Sequence, residues 1–524
     1  MLTKSFSVWK YSHHFVVVCR DSTAIANTRR FVKRFVEYVL TKSAGKFTEK
    51  PERTYARANA ALDMYRIHIN ALDQFISHMS MAYGIHPQLV VDTIEEIPMY
   101  KPPDIKIGFK EGWVDKEEQV EPIQWGLDQV DAGKRSVVYI WQMGYGKSYM
   151  TTRVALKAGG RIVMMIQPIY SKKWKLDFLK MLDVGEDDVL FVNGSGKLLD
   201  LVNADPDTLP PVIMISINTI MDWFNLYDDN NYKPLTDFGY NVDPPCLMEH
   251  LGAGALMRDE VHEQFHNMFY IDLFTHVPIT VSATATMESE SRHTVRMMEV
   301  MFPSETRNVQ TTFNRFTDIH TAKYSLADVY RIKTTLPRCA MHSQIAVEKS
   351  LLNNKYILDA YCDFVIRLIK EHYVDRRQDG DHCIVYQAFR LFLDQLYSRV
   401  VAAFPGLTVA QYKSGEDYNN LIGVDISLTT KKSAGTGVDV PNLIAVIDGD
   451  LKKSVCSVRQ SVGRPREQAG VTPRYVRMVC TDWDKHMYYW KRGQYNTAQY
   501  IRKEHIHEYG MIGVSKHPKT LPTW

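Results

Sequence analysis

The sequence predicts an α/β protein with two doubly wound lobes in tandem, preceded by a small α/β domain and followed by a helical extension. Two observations carry this expectation. Short apolar runs at Val137 to Ile140, Ile162 to Ile166, Val212 to Ile215 and Ala255 to Met257 are each bounded by polar or helical sequence, the pattern of strands buried on both faces of a parallel sheet. After a mostly helical stretch at about 345–373, a second set repeats it at Cys383 to Tyr386, Leu407 to Gln411, Asp425 to Thr429, Leu443 to Ile447 and Tyr475 to Val479. A chain of 524 residues is too long for one core, and domains of roughly 100–200 residues are expected.

In chain order, residues 6–18 read as strand, and Asp21-Ser22 caps a helix expected to run to about Leu40, with Ile25, Phe31, Val32, Phe35, Val36 and Val39 on one face. Its other face carries Arg29, Arg30, Lys33 and Arg34, a solvated surface or a nucleic-acid contact. Met64 to His68 and Ala71 to Tyr83 add a strand and a helix, completing an accessory domain over 1–95. The proline-containing stretch 96–117 is a linker, 118–300 the first lobe, 301–375 a helical connection, 376–482 the second lobe and 483–524 a helical extension. In that extension Trp490, Tyr495 and Tyr500 interleave with Lys491, Arg492, Arg502 and Lys503, suiting either packing on the second lobe or stacking on a single strand.

Composition narrows the class. With 45% hydrophobic and 23% charged residues the chain is neither disordered, collagenous nor coiled coil. Its apolar runs fall short of the ~18–20 residues of a membrane span, and its start has no secretory pattern, so an intracellular, membrane-free protein is expected. Seven cysteines without a C-x-x-C pair suggest neither a disulfide framework nor a zinc knuckle. Lys and Arg outnumber Asp and Glu by ten to three in residues 1–50 and by fourteen to five in residues 451–524, so basic ends flank an acidic middle, as a polyanion-binding protein would have.

The chemistry centres on Trp141-Gln142-Met143-Gly144-Tyr145-Gly146-Lys147-Ser148, between a strand and a helix. Gly144 and Gly146 let backbone N–H groups close around phosphate oxygens at a helix N-terminus, with Tyr145 between them. Lys147 would pair with the β and γ phosphates, and Ser148 would ligate Mg²⁺. Trp141 stands where such a loop ordinarily has its first glycine. Beyond Ala255 to Met257 come Asp259-Glu260-Val261-His262, with Asp259 suited to Mg²⁺ and Glu260 to accepting a proton from water. His262-Glu263-Gln264-Phe265-His266 also matches the H-E-x-x-H pattern of helical zinc sites, but no third ligand announces itself downstream. Ser282-Ala283-Thr284 follows a further apolar run.

These motifs, in this order over residues 118–485, resemble superfamily 2 helicases and translocases of the DExH type, in flavour nearest the Swi/Snf branch and viral or phage recombination helicases. The resemblance implies RecA-like lobes, ATP and Mg²⁺ as nucleotide and cofactor, and a nucleic-acid track. Gln124 resembles the family's adenine-contacting glutamine. Pro168 (after Gln167 and before Trp174), Ser216, Thr430, Gly435 and Thr436 take places that touch nucleic acid, while Ser282, Ala283 and Thr284 couple ATP state to the track. Tyr386-Gln387-Ala388 takes the place of a second-lobe motif. Gly437 and Asp439 lie in a loop like the family's glycine-threonine-glycine loop, on the nucleotide side, and Gln460, Arg464 and Arg466 resemble the arginine motif, which would stabilise γ-phosphate charge. Glu467 replaces the second arginine of the usual spacing, so either Arg464 or Arg466 is the finger, and His262 completes the acidic box. The implied activity is nucleic-acid-stimulated ATP hydrolysis driving unwinding or branch remodelling, with DNA favoured, in a monomer with possible replication, recombination or transcription partners. Alternatives are a viral RNA helicase or transcription-associated NTPase, a duplex translocase, and a nucleotide-gated binding component.

Overall fold

The computed structural model describes residues 6–516, apart from 44–45, 60–61, 143, 290, 312–314, 337–341, 414–415, 417–418, 435–439, 452–457, 459–460 and 466–469. The chain forms two compact units, residues 1–141 with 145–310, and residues 142–144 with 311–524.

Unit 1 begins with β1 (Phe6–Lys10) and β2 (His14–Cys19), an antiparallel hairpin. The Asp21 carboxylate accepts the Ala24 N–H at 2.7 Å, capping the helix Ser22–Val32. That helix ends eight residues before the expected Leu40. The β-branched and aromatic residues Val36, Tyr38, Val39 and Thr41 favour extended backbone, and β3 (Val36–Ser43) pairs with β4 (Lys46–Thr54) as a two-stranded ribbon. β5 (Arg57–Asn59), β6 (Met64–His68) and β7 (Ile94–Glu96) complete a five-stranded sheet in the order β5-β6-β2-β1-β7.

The rest of unit 1 is a seven-stranded parallel sheet: β8 (Ser136–Ile140), β9 (Arg161–Ile166), β10 (Val189–Val192), β11 (Val212–Ser216), β12 (Ala253–Arg258), β13 (Ile279–Thr284) and β14 (Arg307–Val309), ordered β10-β11-β9-β12-β13-β8-β14. Alternation divides it between two cores. Val163 and Met165 of β9 face one, and Ile162, Met164 and Ile166 the other.

Unit 2 repeats this plan with β15 (Asp318–Leu326), β16 (His382–Tyr386), β17 (Val409–Tyr412), β18 (Ile426–Thr429), β19 (Leu443–Asp448), β20 (Arg474–Cys480) and β21 (Lys503–Ile512), ordered β17-β18-β16-β19-β20-β15-β21. Numbered within each sheet, both strand orders read 3-4-2-5-6-1-7. Two tandem RecA-like lobes preceded by an α/β part are therefore the fold.

Two segments differ from the sequence reading. Residues 301–375 do not form a helical connection alone, because β14 edges the first sheet and β15 enters the second between β20 and β21. The extension from 483 opens with the helix Asp484–Thr497, which buries Trp490, and continues into β21, the outer strand of the second sheet. Both β15 and β21 were hidden by polar residues, among them Asp318, His320, His505 and His507.

Residues 1–95 are not a detachable domain either. Phe6, Phe15, Phe31 and Phe75 share one continuous core with Phe265, Phe269 and Phe274 of the first lobe. Within the lobe the fully buried guanidinium of Arg258 pairs with Asp272, and across the join His68 Nε2 lies 3.5 Å from the same carboxylate. His13 bonds Thr280 at 3.2 Å, and His14 bonds the Thr275 carbonyl at 3.2 Å. Arg57 lies 3.6 Å from the Tyr270 ring centroid.

Burial acts to raise the Asp272 carboxyl, but Arg258, then His68 and His13, outweigh it and hold it below the ordinary range. Its stabilisation is therefore complete above about pH 4 and is lost as pH falls below that. Asp272→Ala leaves Arg258 buried without its counter-ion and is expected to cost unit 1 about 3–5 kcal/mol. The check is hydrogen exchange of the β6 and β12 amides, where wild-type protection in the variant would contradict the assignment.

Candidate nucleotide site

β8 ends at Ile140 and the chain turns through Gly144 (φ 94°) and Gly146 (φ 75°) into the helix Lys147–Lys157. Both glycines occupy left-handed backbone that side chains resist, and a Cβ on Gly146 would also collide with the Gln119 amide. Lys147, buried in the first turn, donates to the Trp141 carbonyl at 3.0 Å, so the backbone at the position lacking the usual glycine holds the lysine. Ser148 follows it in the same turn, half-buried.

The carboxylates enter from β12. Asp259 Oδ2 accepts the Trp174 indole N–H at 2.8 Å, and its Oδ1 accepts the Glu260 N–H at 3.0 Å. Glu260 has φ 45°, an uncommon conformation for a non-glycine residue of the kind that clusters at functional sites. Its Oε1 lies 3.9 Å from Lys147 Nζ, its Oε2 accepts the Ala285 N–H at 3.3 Å, and His262 Nδ1 is 3.4 Å from that same oxygen. His262 Nδ1 also bonds Thr284 Oγ1 at 2.8 Å. Strand order explains the meeting, since β13 lies between β12 and β8 and all three present their C-terminal ends together, where open α/β sheets collect ligands.

Burial and then the charge of Glu260 raise the Asp259 carboxyl. Burial pushes Glu260 the same way, but Lys147, then His262 and the Ala285 N–H, bring it below the ordinary range. Burial lowers His262, with Glu260 acting the other way. Lys147 and Lys173 both act on these two carboxylates, and their hard oxygen donors with the Ser148 hydroxyl fit Mg²⁺.

The remaining sequence candidates divide. Gln124 does not reach the loop; it is exposed and donates to Asp128 at 2.7 Å. Gln119, one and a half turns earlier, is 3% exposed and donates to the Tyr145 carbonyl at 2.8 Å, while its Oε1 accepts the Lys116 N–H at 3.2 Å. Both glutamines were visible in sequence, and only the direction of the helix selects between them. Pro168 opens the short turn Pro168–Tyr170 at the end of β9. Ser216 ends β11 with its hydroxyl fully buried and, among the described residues, without a hydrogen-bond partner, so it presents no exposed surface. Ser282 and Ala283 are likewise buried within β13, leaving Thr284 as the member that bonds the acidic box.

The H-E-x-x-H pattern does not form a zinc site. Residues 261–264 are a turn and the helix starts at Phe265, so the two histidines do not share a helical face. His266 packs edge-on against Tyr55 at 4.9 Å, while Glu263 accepts hydrogen bonds from Gln167 at 2.7 Å and Tyr170 at 2.9 Å.

In unit 2, Thr430 is buried and its hydroxyl donates to Ser433 Oγ at 3.0 Å. Arg464, 5% exposed, donates to the Ala434 carbonyl at 3.2 Å and lies 5.8 Å from the Tyr386 ring centroid. Glu348, which the sequence reading missed, accepts the Ala388 and Phe389 N–H groups at 2.9 and 2.7 Å after β16. Gly435, Thr436, Gly437, Asp439, Gln460 and Arg466 lie outside the described residues.

Burial, then the neighbouring Glu260, pushes the Glu263 carboxyl up to about 7. Its folded form therefore resists ionisation, and a stability contribution present below the unfolded value of about 4.3 is lost as pH rises through about 7. Glu263→Gln is expected to gain on the wild type by on the order of 1–3 kcal/mol between pH 5 and pH 8. Parallel urea titrations at the two pH values check this; an unchanged difference would refute it.

No family model and no curated protein sequence matches the chain. Among solved structures it is similar to a variant of Saccharomyces cerevisiae Dbp5 bound to Gle1 and IP6, at 11% identity and TM-score 0.47, over 75% of this chain and 89% of that one. It is also similar to S. cerevisiae Dbp5 bound to RNA and ADP BeF3, at 12% identity and TM-score 0.44, over 71% and 85%.

Proposed function

We propose that the protein is a nucleic-acid-stimulated ATPase, a helicase or translocase of the DExH type, with its hydrolytic centre at the C-terminal ends of β8, β12 and β13. The observation that carries this reading is the convergence of Lys147, Glu260, His262 and Thr284 within one chain of contacts of 2.8–3.9 Å. Three sequence motifs spread over residues 144–284 form a single cluster there.

Each residue has a distinct task. The N–H groups of the 144–148 turn and the Lys147 ammonium receive the β and γ phosphates, which requires Lys147 to exchange the Trp141 carbonyl for phosphate oxygen. Ser148 and Asp259 would hold Mg²⁺, which when bound neutralises phosphate charge. Glu260, ionised because Lys147 and His262 favour its charge, accepts a proton from the attacking water. His262 links that carboxylate to Thr284 at the end of β13, a route by which hydrolysis is felt along the sheet. Gln119, rather than Gln124, is the glutamine placed to monitor the nucleotide-binding turn, and Arg464 is assigned by its motif to the γ-phosphate. DNA is the favoured track on the sequence resemblance, and RNA is the alternative arm of the test.

Steady-state ATPase turnover without polymer and with single-stranded, duplex and branched DNA or single-stranded RNA tests the reading. One polymer is expected to stimulate turnover, with Glu260→Gln lowering kcat about 10²–10⁴-fold and Lys147→Ala abolishing nucleotide-dependent activity. Gln119→Ala is expected to raise KM for ATP while Gln124→Ala leaves it unchanged. Wild-type turnover in Lys147→Ala would overturn the assignment, and tight nucleotide binding without turnover would favour a nucleotide-gated binding component.

A further inference from the structure

A second cluster of chemistry-bearing side chains lies in unit 2, on one face of the β15-β21 pair. Both strands alternate, so Asp318 and His320 of β15 share a face, as do His505 and His507 of β21. The parallel register sets His320 beside His505 and Ala322 beside His507. One donor atom from each of Asp318, His320 and His505 lies within 4.8 Å of the other two. His505 Nε2 is 3.4 Å from Asp318 Oδ2, and the His320 and His505 rings stack at 4.6 Å.

The hydrogen bonding distinguishes ligands from neighbours. His320 Nδ1 and His507 Nε2 are 2.9 Å apart. With the proton on His320 Nδ1, the Nε2 lone pair of His320 is exposed to the cluster, and that atom is buried without a hydrogen-bond partner among the described residues, in a side chain only 6% exposed. An imidazole whose second nitrogen donates to a fixed acceptor is the usual arrangement of a metal-bound histidine. Arg502 grips Asp318 through both carboxylate oxygens at 2.9 and 2.7 Å, fixing the carboxylate as an outer partner does. His372, although 4.8 Å from His320, has Arg474 at 3.4 Å from its Nδ1. Accepting from that guanidinium requires its proton on Nε2, so His372 packs against the cluster without offering it a lone pair.

We propose that Asp318, His320 and His505 bind a divalent transition-metal ion, Zn²⁺ by preference, with His507 as outer partner of His320, and that the ion clamps β21 onto β15. Two imidazoles and one carboxylate suit Zn²⁺ rather than Mg²⁺ or Ca²⁺. Bonds of roughly 2.0–2.1 Å place tetrahedral donors about 3.4 Å apart, so binding draws the rings together by an ångström or so, with water as the fourth ligand. His505, about a third exposed, provides the entry path. The proposal stands apart from the nucleotide reading, since it shares no residue with that site.

Titration of chelator-treated, full-length protein with Zn²⁺, followed calorimetrically, tests it. One equivalent is expected to bind, raising Tm, and Co²⁺ in its place is expected to give the visible ligand-field bands of a tetrahedral site. His505→Gln alters a partly exposed side chain and is expected to fold, as circular dichroism would verify; it should weaken Zn²⁺ at least about 100-fold and abolish the Co²⁺ bands. His507→Gln should retain the bands with about 10–100-fold weaker binding. Absence of binding to the wild type would overturn the proposal, as would binding and bands unchanged by His505→Gln, which would place the metal elsewhere.

Discussion

The ammonium of Lys147 and the carboxylate of Glu260 are buried together at 3.9 Å, and the first lobe is arranged so that each has the other. A buried charge without its counter-ion costs several kcal/mol, so the loop that carries the lysine and the turn that carries the glutamate cannot be placed independently. β13 lies between the strands delivering them, and its last residue, Thr284, closes the gap through His262. The backbone bends to suit: Gly144 and Gly146 take left-handed geometry where no Cβ resists it, and Glu260 takes it despite having one. Strain at that carboxylate persists because the Ala285 N–H, His262 and Lys147 all fix its oxygens.

The same strand extends this constraint into the N-terminal element. β12 ends at Arg258, immediately before Asp259, and the Arg258 guanidinium is neutralised by Asp272 with His68 of β6 beside it. A single peptide bond therefore separates a carboxylate of the proposed hydrolytic centre from the charge cluster joining residues 1–95 to the lobe. An appended sheet with so much of its core in common with the lobe is part of the scaffold that sets β12. Its exposed Arg29, Arg30, Lys33 and Arg34 are presented from that rigid base.

Legibility in sequence followed burial. Strands buried on both faces read as apolar runs, and β8, β9, β11, β12, β16, β18, β19 and β20 stand where those runs are. β10 and β14 are short edge strands, with too few residues to show a period. β15 is central yet carries Asp318, His320 and Lys323 because polar partners face it: Glu504 accepts from Thr321 at 2.8 Å, and Glu508 pairs with Lys323 at 3.0 Å. Motif spacing reports strand ends at Lys147, Asp259, Glu260 and Thr284, which follow or close β8, β12 and β13. The outward facing of Gln124 and the burial of Ser216 are set by tertiary packing, which a motif does not encode.

The two lobes share a strand order yet end it differently. The seventh strand of the first sheet is three residues long, a minimal edge. Its counterpart β21 spans ten residues, long enough to recruit another strand unless its outer surface discourages pairing. Lys503, Glu504 and Glu508 supply charge along it. Such a polar edge cannot be held to β15 by apolar burial alone, and specific contacts replace it: Trp490 and Gln494 donate to Glu504 on one face, while Arg502, Asp318 and the four histidines occupy the other. The histidine face is the weaker half of this arrangement, since rings stacked at 4.6–5.2 Å leave buried nitrogens of His320 and His372 without partners among the described residues. A cation drawn to the His320 lone pair would convert that deficit into a crosslink at the point where the second sheet most needs one.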